Sequence, residues 1–168
     1  MRLYRYLYRL LDLETPLKAR DCGKLCNGAC CEESDEGEGM YLFPGEEKLF
    51  SGKESWYLID STDFLYGQKT AKILICNGKC RRNMRPLSCR IFPLAPHRTR
   101  QGLELVLDPR GRGMCPFVRA GDIRLLSGSF YRKVLYAMKL VDRTREGNLF
   151  IDRLSKTVDE LLELRGEK

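Results

Sequence analysis

Cys22-Gly-Lys-Leu-Cys26-Asn-Gly-Ala-Cys30-Cys31 is the stretch whose reading decides the fold. It sets four thiols within ten residues, and Cys76, Cys80, Cys89 and Cys115 bring the total to eight. Thiols at this density are held by disulfides in an oxidising compartment or by a metal in a reducing one. The chain opens Met1-Arg-Leu-Tyr-Arg-Tyr-Leu-Tyr-Arg-Leu-Leu-Asp12, with Arg2, Arg5 and Arg9 breaking up its apolar residues. That pattern lacks the uninterrupted apolar core and small-residue cleavage site of a secretory signal. Apolar runs elsewhere are too short to span a bilayer, so no membrane partner is expected. The expectation is a cytoplasmic protein with metal-bound thiols, and a disulfide framework is the runner-up.

Spacing adds detail. The first group reads C-x3-C-x3-C-C, and Gly23 and Gly28 let the backbone wrap an ion with amides facing sulfur. In an extended chain Cys30 and Cys31 point to different sides, which sets them awkwardly in one tetrahedron. Two sites sharing out these sulfurs, or one bridging or non-ligand thiol, would resolve that conflict. In Cys76-Asn-Gly-Lys-Cys80, Asn77-Gly78 is a hairpin signal that presents two thiols near a strand end. Arg85 and Arg90 flank Cys89, where positive charge favours the thiolate and donates hydrogen bonds to sulfur. Cys115 completes the count for two four-cysteine sites. His97, the only histidine, is expected outside the metal shell, because structural zinc sites fill readily with thiolates.

The tight group ending in a Cys-Cys pair, the later pair Cys76 and Cys80, and Arg85-Pro-Leu-Ser-Cys89-Arg-Ile-Phe-Pro93 together resemble the YkgJ-type cysteine-cluster family. The likeness runs from about Cys22 to Pro96; the first group has x3 gaps where the common family form has x2. The resemblance implies a zinc- or iron-chelating domain with Cys22, Cys26, Cys30, Cys31, Cys76, Cys80 and Cys89 at the ligand positions. It also brings in flagellin lysine methylases, reported to carry an iron–sulfur cluster.

The rest of the chain supplies the scaffold. Leu3, Leu7, Leu10 and Leu11 make a helical stripe that Pro16 ends. Glu32, Glu33, Asp35, Glu36 and Glu38 read as a solvated loop. Met40–Phe43, Trp56–Ile59, Ala71–Ile75 and Leu103–Leu107 read as strands. Arg110-Gly-Arg-Gly113 reads as a flexible turn. Pro86, Pro93 and Pro96 exclude a long helix around Cys89. Beyond Gly128, with Ser129 as N-cap, Phe130, Val134, Leu135, Met138 and Val141 form one stripe. Phe150, Leu154, Val158, Leu161 and Leu162 form a second, after a break at Gly147-Asn148. The expected fold is α+β: one small domain over 1–168, with short antiparallel strands and cysteine-rich metal loops (about 20–117) and a C-terminal helical hairpin (about 128–165).

Three functions follow. The first is a metal-binding protein with metal ions as partners, zinc preferred because four thiolates hold it without redox chemistry. The second is an enzyme or electron carrier with a 4Fe–4S cluster. The third is a nucleic-acid-binding zinc module, suggested by the net charge of +7 and by ten Lys and Arg between Lys79 and Arg119. It ranks last, since eight thiolates with two divalent ions would bring the balance to about +3. No Ser/His/Asp set, paired carboxylates or phosphate-binding glycine loop is visible, and no protein partner is indicated.

Overall fold

The computed structural model describes residues 1–18, 22–32, 39–50, 54–78 and 80–166; the acidic run over 33–38 lies outside them. The leucine stripe folds as α1 (Arg2–Leu10) and buries Tyr4, Leu7 and the following Leu11. Strands β1 (Met40–Leu42), β2 (Tyr57–Tyr66) and β3 (Lys69–Cys76) form an antiparallel sheet in the order β1-β3-β2. Tyr66 pairs with Lys69, leaving a two-residue turn in which Gly67 has φ +61°, the left-handed value a type II′ hairpin requires at that place. The hairpin therefore lies at Gly67-Gln68 and not at Asn77-Gly78. At the latter, β3 has ended and Gly78 (φ +75°) turns the chain toward Cys80, while the Asn77 amide donates to the Trp56 carbonyl at 3.1 Å.

A short helix, α2 (Leu87–Ile91), carries Cys89, as the surrounding prolines allow. Then β4 (Leu94–Thr99) and β5 (Gly102–Leu107) form a second antiparallel ribbon. Sequence reasoning assigned no strand over 94–99, and Pro96 lies inside β4. A two-stranded ribbon has only edge strands, where a missing N–H is tolerated. A 3-10 turn at Pro109–Gly113 leads to α3 (Pro116–Ala120), α4 (Gly128–Asp142) and α5 (Arg145–Leu164). Ser129 lies inside α4, and its hydroxyl donates to Glu14.

The break between α4 and α5 falls at Thr144, whose Oγ1 accepts the Gly147 amide at 3.0 Å. Gly147 sits inside α5 for a different reason. A Cβ there would stand 2.2 Å from the Val141 carbonyl oxygen, so only glycine lets the two helices approach this closely. Phe150, one turn on, is fully buried and its ring lies 5.2 Å from those of Phe43 and Phe64 and 5.4 Å from that of Tyr66. With Phe130, Val134 and Met138 from α4 it forms the centre of one core, each such side chain contributing about 1.5–3 kcal/mol by burial. Polar bonds fasten α5 to β4: the Arg98 amide donates to Ser155, and its guanidinium pairs with Asp152 and with Asp142 of α4. The fold is α+β, as expected. No described helix is long and apolar enough to cross a membrane.

Candidate metal centre

The first cysteine group is built from two 3-10 turns, Cys22–Leu25 and Ala29–Cys31. Between them Asn27 (φ +51°) and Gly28 (φ +74°) are both left-handed, which doubles the chain back. The Gly28 amide donates to Gly23 at 2.9 Å and the Ala29 amide to Cys26 at 3.1 Å. Cys30 and Cys31 then hold their sulfurs 4.0 Å apart. The expectation that this pair fits poorly in one tetrahedron assumed an extended chain. In a 3-10 turn successive side chains are about 120° apart, and a zinc ion with four thiolates has sulfur–sulfur edges of about 3.8 Å. One shell accommodates both.

The second group comes from the end of β3 (Cys76), the segment after it (Cys80) and α2 (Cys89). Burial pushes the Cys89 thiol well up, and Cys31, Cys80 and Cys76 push it further. Burial also raises Cys76, against a hydrogen bond from Gly78 and with help from Cys80 and Cys31. Cys30 is raised first by its hydrogen bond to Cys31, then by burial, then by Cys31, Cys22 and Cys26. These thiols suppress one another's ionisation because they are neighbours. Arg85 opposes the rise at Cys89 and Cys76, and a bound cation would oppose it further, since metal binding displaces thiol protons. Cys31 acts on both groups. All eight cysteines are free thiols.

Cys22, Cys30, Cys31 and Cys89 line one cleft together with Arg82, Arg85 and Arg90. The three arginines differ in what they hold. Arg82 donates to the carbonyls of Asp12 and Glu14 at 2.6 and 3.1 Å. Arg90 is 5% exposed and gives its donors to the carbonyls of Arg85, Tyr8, Arg82 and Asn83. Its guanidinium also covers the Tyr8 ring at 4.3 Å and pairs with Asp12. Arg90 thereby ties α1 and the turn at Arg82–Met84 to α2.

Arg85 faces sulfur. Burial alone would lower its pKa, but a hydrogen bond with Cys80 and the charges of Cys31, Cys80 and Cys89 raise it. Its Nε is buried with no hydrogen-bond partner, and no carboxylate forms an ion pair with it among the described residues.

Glu46, which sequence reasoning missed, sets the position of α2. It is fully buried and accepts from the Leu87 amide at 2.6 Å, the Phe43 amide at 2.9 Å and the Tyr8 hydroxyl at 2.6 Å. Burial pushes its pKa up to about 7, against those three donors. A glutamate after a Pro-Gly turn carries no sequence signal of burial.

Two candidates lie elsewhere. Cys115 is 7% exposed and packs in the main core ahead of α3; its neighbour Met114 lines the cleft, and Cys115 does not. His97 sits on β4 between Asp159, at 3.2 Å from Nε2, and Glu104, at 3.7 Å from Nδ1. Among the described residues no three His, Cys, Asp or Glu side chains already form a group able to hold a metal ion. Comparison with protein-family models, curated proteins and solved structures gave no match to this chain.

Proposed function

We propose that the chain is a metal-binding protein whose cleft thiols hold the metal as thiolates, zinc being the preferred ion. The observation that carries this reading is Arg85. A half-buried guanidinium whose Nε is enclosed without a hydrogen-bond partner, and which meets no carboxylate among the described residues, is costly unless its surroundings are anionic. Its neighbours Cys31, Cys80 and Cys89 become so only as thiolates, the state a metal imposes. Cys22, Cys26, Cys30, Cys31, Cys76, Cys80 and Cys89 are the donors. Arg85 donates to their sulfurs, and Arg90 holds α2 in place. The ion would neutralise thiolate charge and cross-link the loop at 22–32 to the sheet and α2. The likeness to YkgJ-type proteins is part of the same proposal and rests on the motif residues, as does a reducing cytoplasmic setting.

Metal analysis of anaerobically purified protein tests it. About two zinc ions per chain are expected from the four-thiolate rule. A metal-free, colourless protein that takes up neither zinc nor iron would sink the proposal. The cleft itself supports a second reading, a 4Fe–4S enzyme or electron carrier, since purely structural zinc sites leave no open position. Brown colour with stoichiometric iron and sulfide would select it. The nucleic-acid reading is weakened by the internal use of its arginines. Arg82, Arg90, Arg98 and Arg110 are all engaged within the chain.

A further inference from the structure

We propose that the outer faces of α1 and α4 together bind single-stranded nucleic acid, with their cations on phosphates and Tyr6 and Tyr136 under the bases. On α1, Arg2, Arg5, Tyr6 and Arg9 are exposed; on α4 and its C-cap, Arg132, Tyr136, Lys139 and Arg143 are exposed. At about 3.6 residues per turn the first set spans an arc of about 100° and the second about 60°, so each set is one helix face. The two helices pack together and run in opposite directions. The Ser127 amide donates to the Pro16 carbonyl at 2.8 Å and the Ser129 hydroxyl to Glu14 at 3.2 Å. Further back along α1 and further on along α4, Tyr6 and Tyr136 hydrogen-bond each other, and each is about half exposed. The two faces therefore join at the tyrosines. None of these residues lines the thiol cleft, so the surface is separate from the metal-binding reading.

Its charge has one sign. Residues 1–11 and 128–141 contain no Asp or Glu. Among the described residues no carboxylate forms an ion pair with any of the six cations, whereas Lys133 beside them pairs with Glu14. Arg5 and Arg9, like Lys139 and Arg143, stand four residues apart on one helix, where like charges are destabilising. A phosphate backbone relieves that repulsion, and exposed aromatic rings among cations are what single strands stack on. A duplex keeps its base faces covered and offers the tyrosines nothing to stack on. A bilayer fits less well, because an interfacial helix inserts its apolar stripe and that of α1 is already in the core.

Fluorescence anisotropy of the full chain with a labelled oligouridylate tests the surface. Six phosphate contacts predict a slope of about −4 in log K against log salt, and Arg5→Ala with Arg9→Ala should flatten it to about −3. Tyr6→Ala with Tyr136→Ala should weaken binding about fivefold or more with the slope unchanged. Tyr6→Phe with Tyr136→Phe should keep most of the affinity, which a loss of stacking explains and a lost hydroxyl contact does not. Arg100→Ala with Arg119→Ala, both exposed in the cysteine-rich part of the chain, should change neither affinity nor slope. Absence of binding at low salt overturns the proposal, as does tighter binding to a duplex of the same length. So does an equal loss in the Arg100 and Arg119 variant, or binding to phosphatidylserine vesicles without binding to the oligonucleotide.

Discussion

A single carboxylate shows how burial becomes function at the scale of one residue. Glu46 joins α1, the turn after β1 and α2 through three hydrogen bonds. Its pKa is raised from 4.5 to about 7, so the folded chain keeps a proton that the unfolded chain releases. Stability from this group is therefore complete below about pH 4.5 and lost as pH rises to about 7. The change amounts to about 3 kcal/mol. Chemical denaturation across that range should show the slope, and Glu46→Gln should remove it. The same substitution leaves an amide N–H facing another donor and lowers stability by about 1–3 kcal/mol. Arg85 makes a different prediction. Arg85→Ala removes a cation bonded to Cys80 and should weaken zinc binding at least tenfold in a chelator competition. Arg85→Lys should recover part of that loss, since it restores charge but not the planar donor set. Unchanged zinc affinity in Arg85→Ala would remove the main support for thiolate chemistry in the cleft.

Among the secondary-structure elements, periodicity was enough to read those with one apolar face. The stripe of α1, the strands β1 and β3, and the stripes of α4 and α5 stand where their residues indicated, whereas β2 continues to Tyr66, well past the Trp56–Ile59 stretch. What escaped were places where a local signal serves a tertiary purpose. Pro96 reads as a breaker yet occupies a ribbon edge. Asn77-Gly78 reads as a hairpin yet no strand follows. Gly147 reads as a loop yet marks a contact between helices. That last case is testable, because Gly147→Ala forces a methyl against the Val141 carbonyl. We expect a loss of about 1–3 kcal/mol by overpacking, seen as a lowered melting temperature with zinc binding still measurable. Of the candidate site, the cysteines and Arg85 were legible as residue types at close spacing. The way the first group doubles back was not, because it depends on the two left-handed residues at Asn27 and Gly28.

Across the whole molecule, the core is filled mainly from α4, α5 and the first sheet, and it meets the cleft at Leu11, Cys22 and Phe92. Phe43, Phe130, Met138 and Phe150 are fully buried in the main core. None of the residues over 22–32 is fully buried, and the amides of Cys26, Gly28, Ala29, Cys31 and Glu32 donate within the loop. Metal removal should therefore loosen the loop first and leave most helical circular dichroism in place. Hydrogen exchange should show fast amides over 22–32 and slow ones through α4 and α5. The position of Trp56, the only tryptophan, has a practical consequence. Its carbonyl holds the Asn77 amide, the next residue Tyr57 pairs with Cys76, and its ring packs in the small cluster that includes Cys76. The chain thus contains an intrinsic optical probe for one of its two thiol groups. Tryptophan emission should respond when zinc is withdrawn from Cys76 and Cys80, and the indole would report the loading of that half without any label.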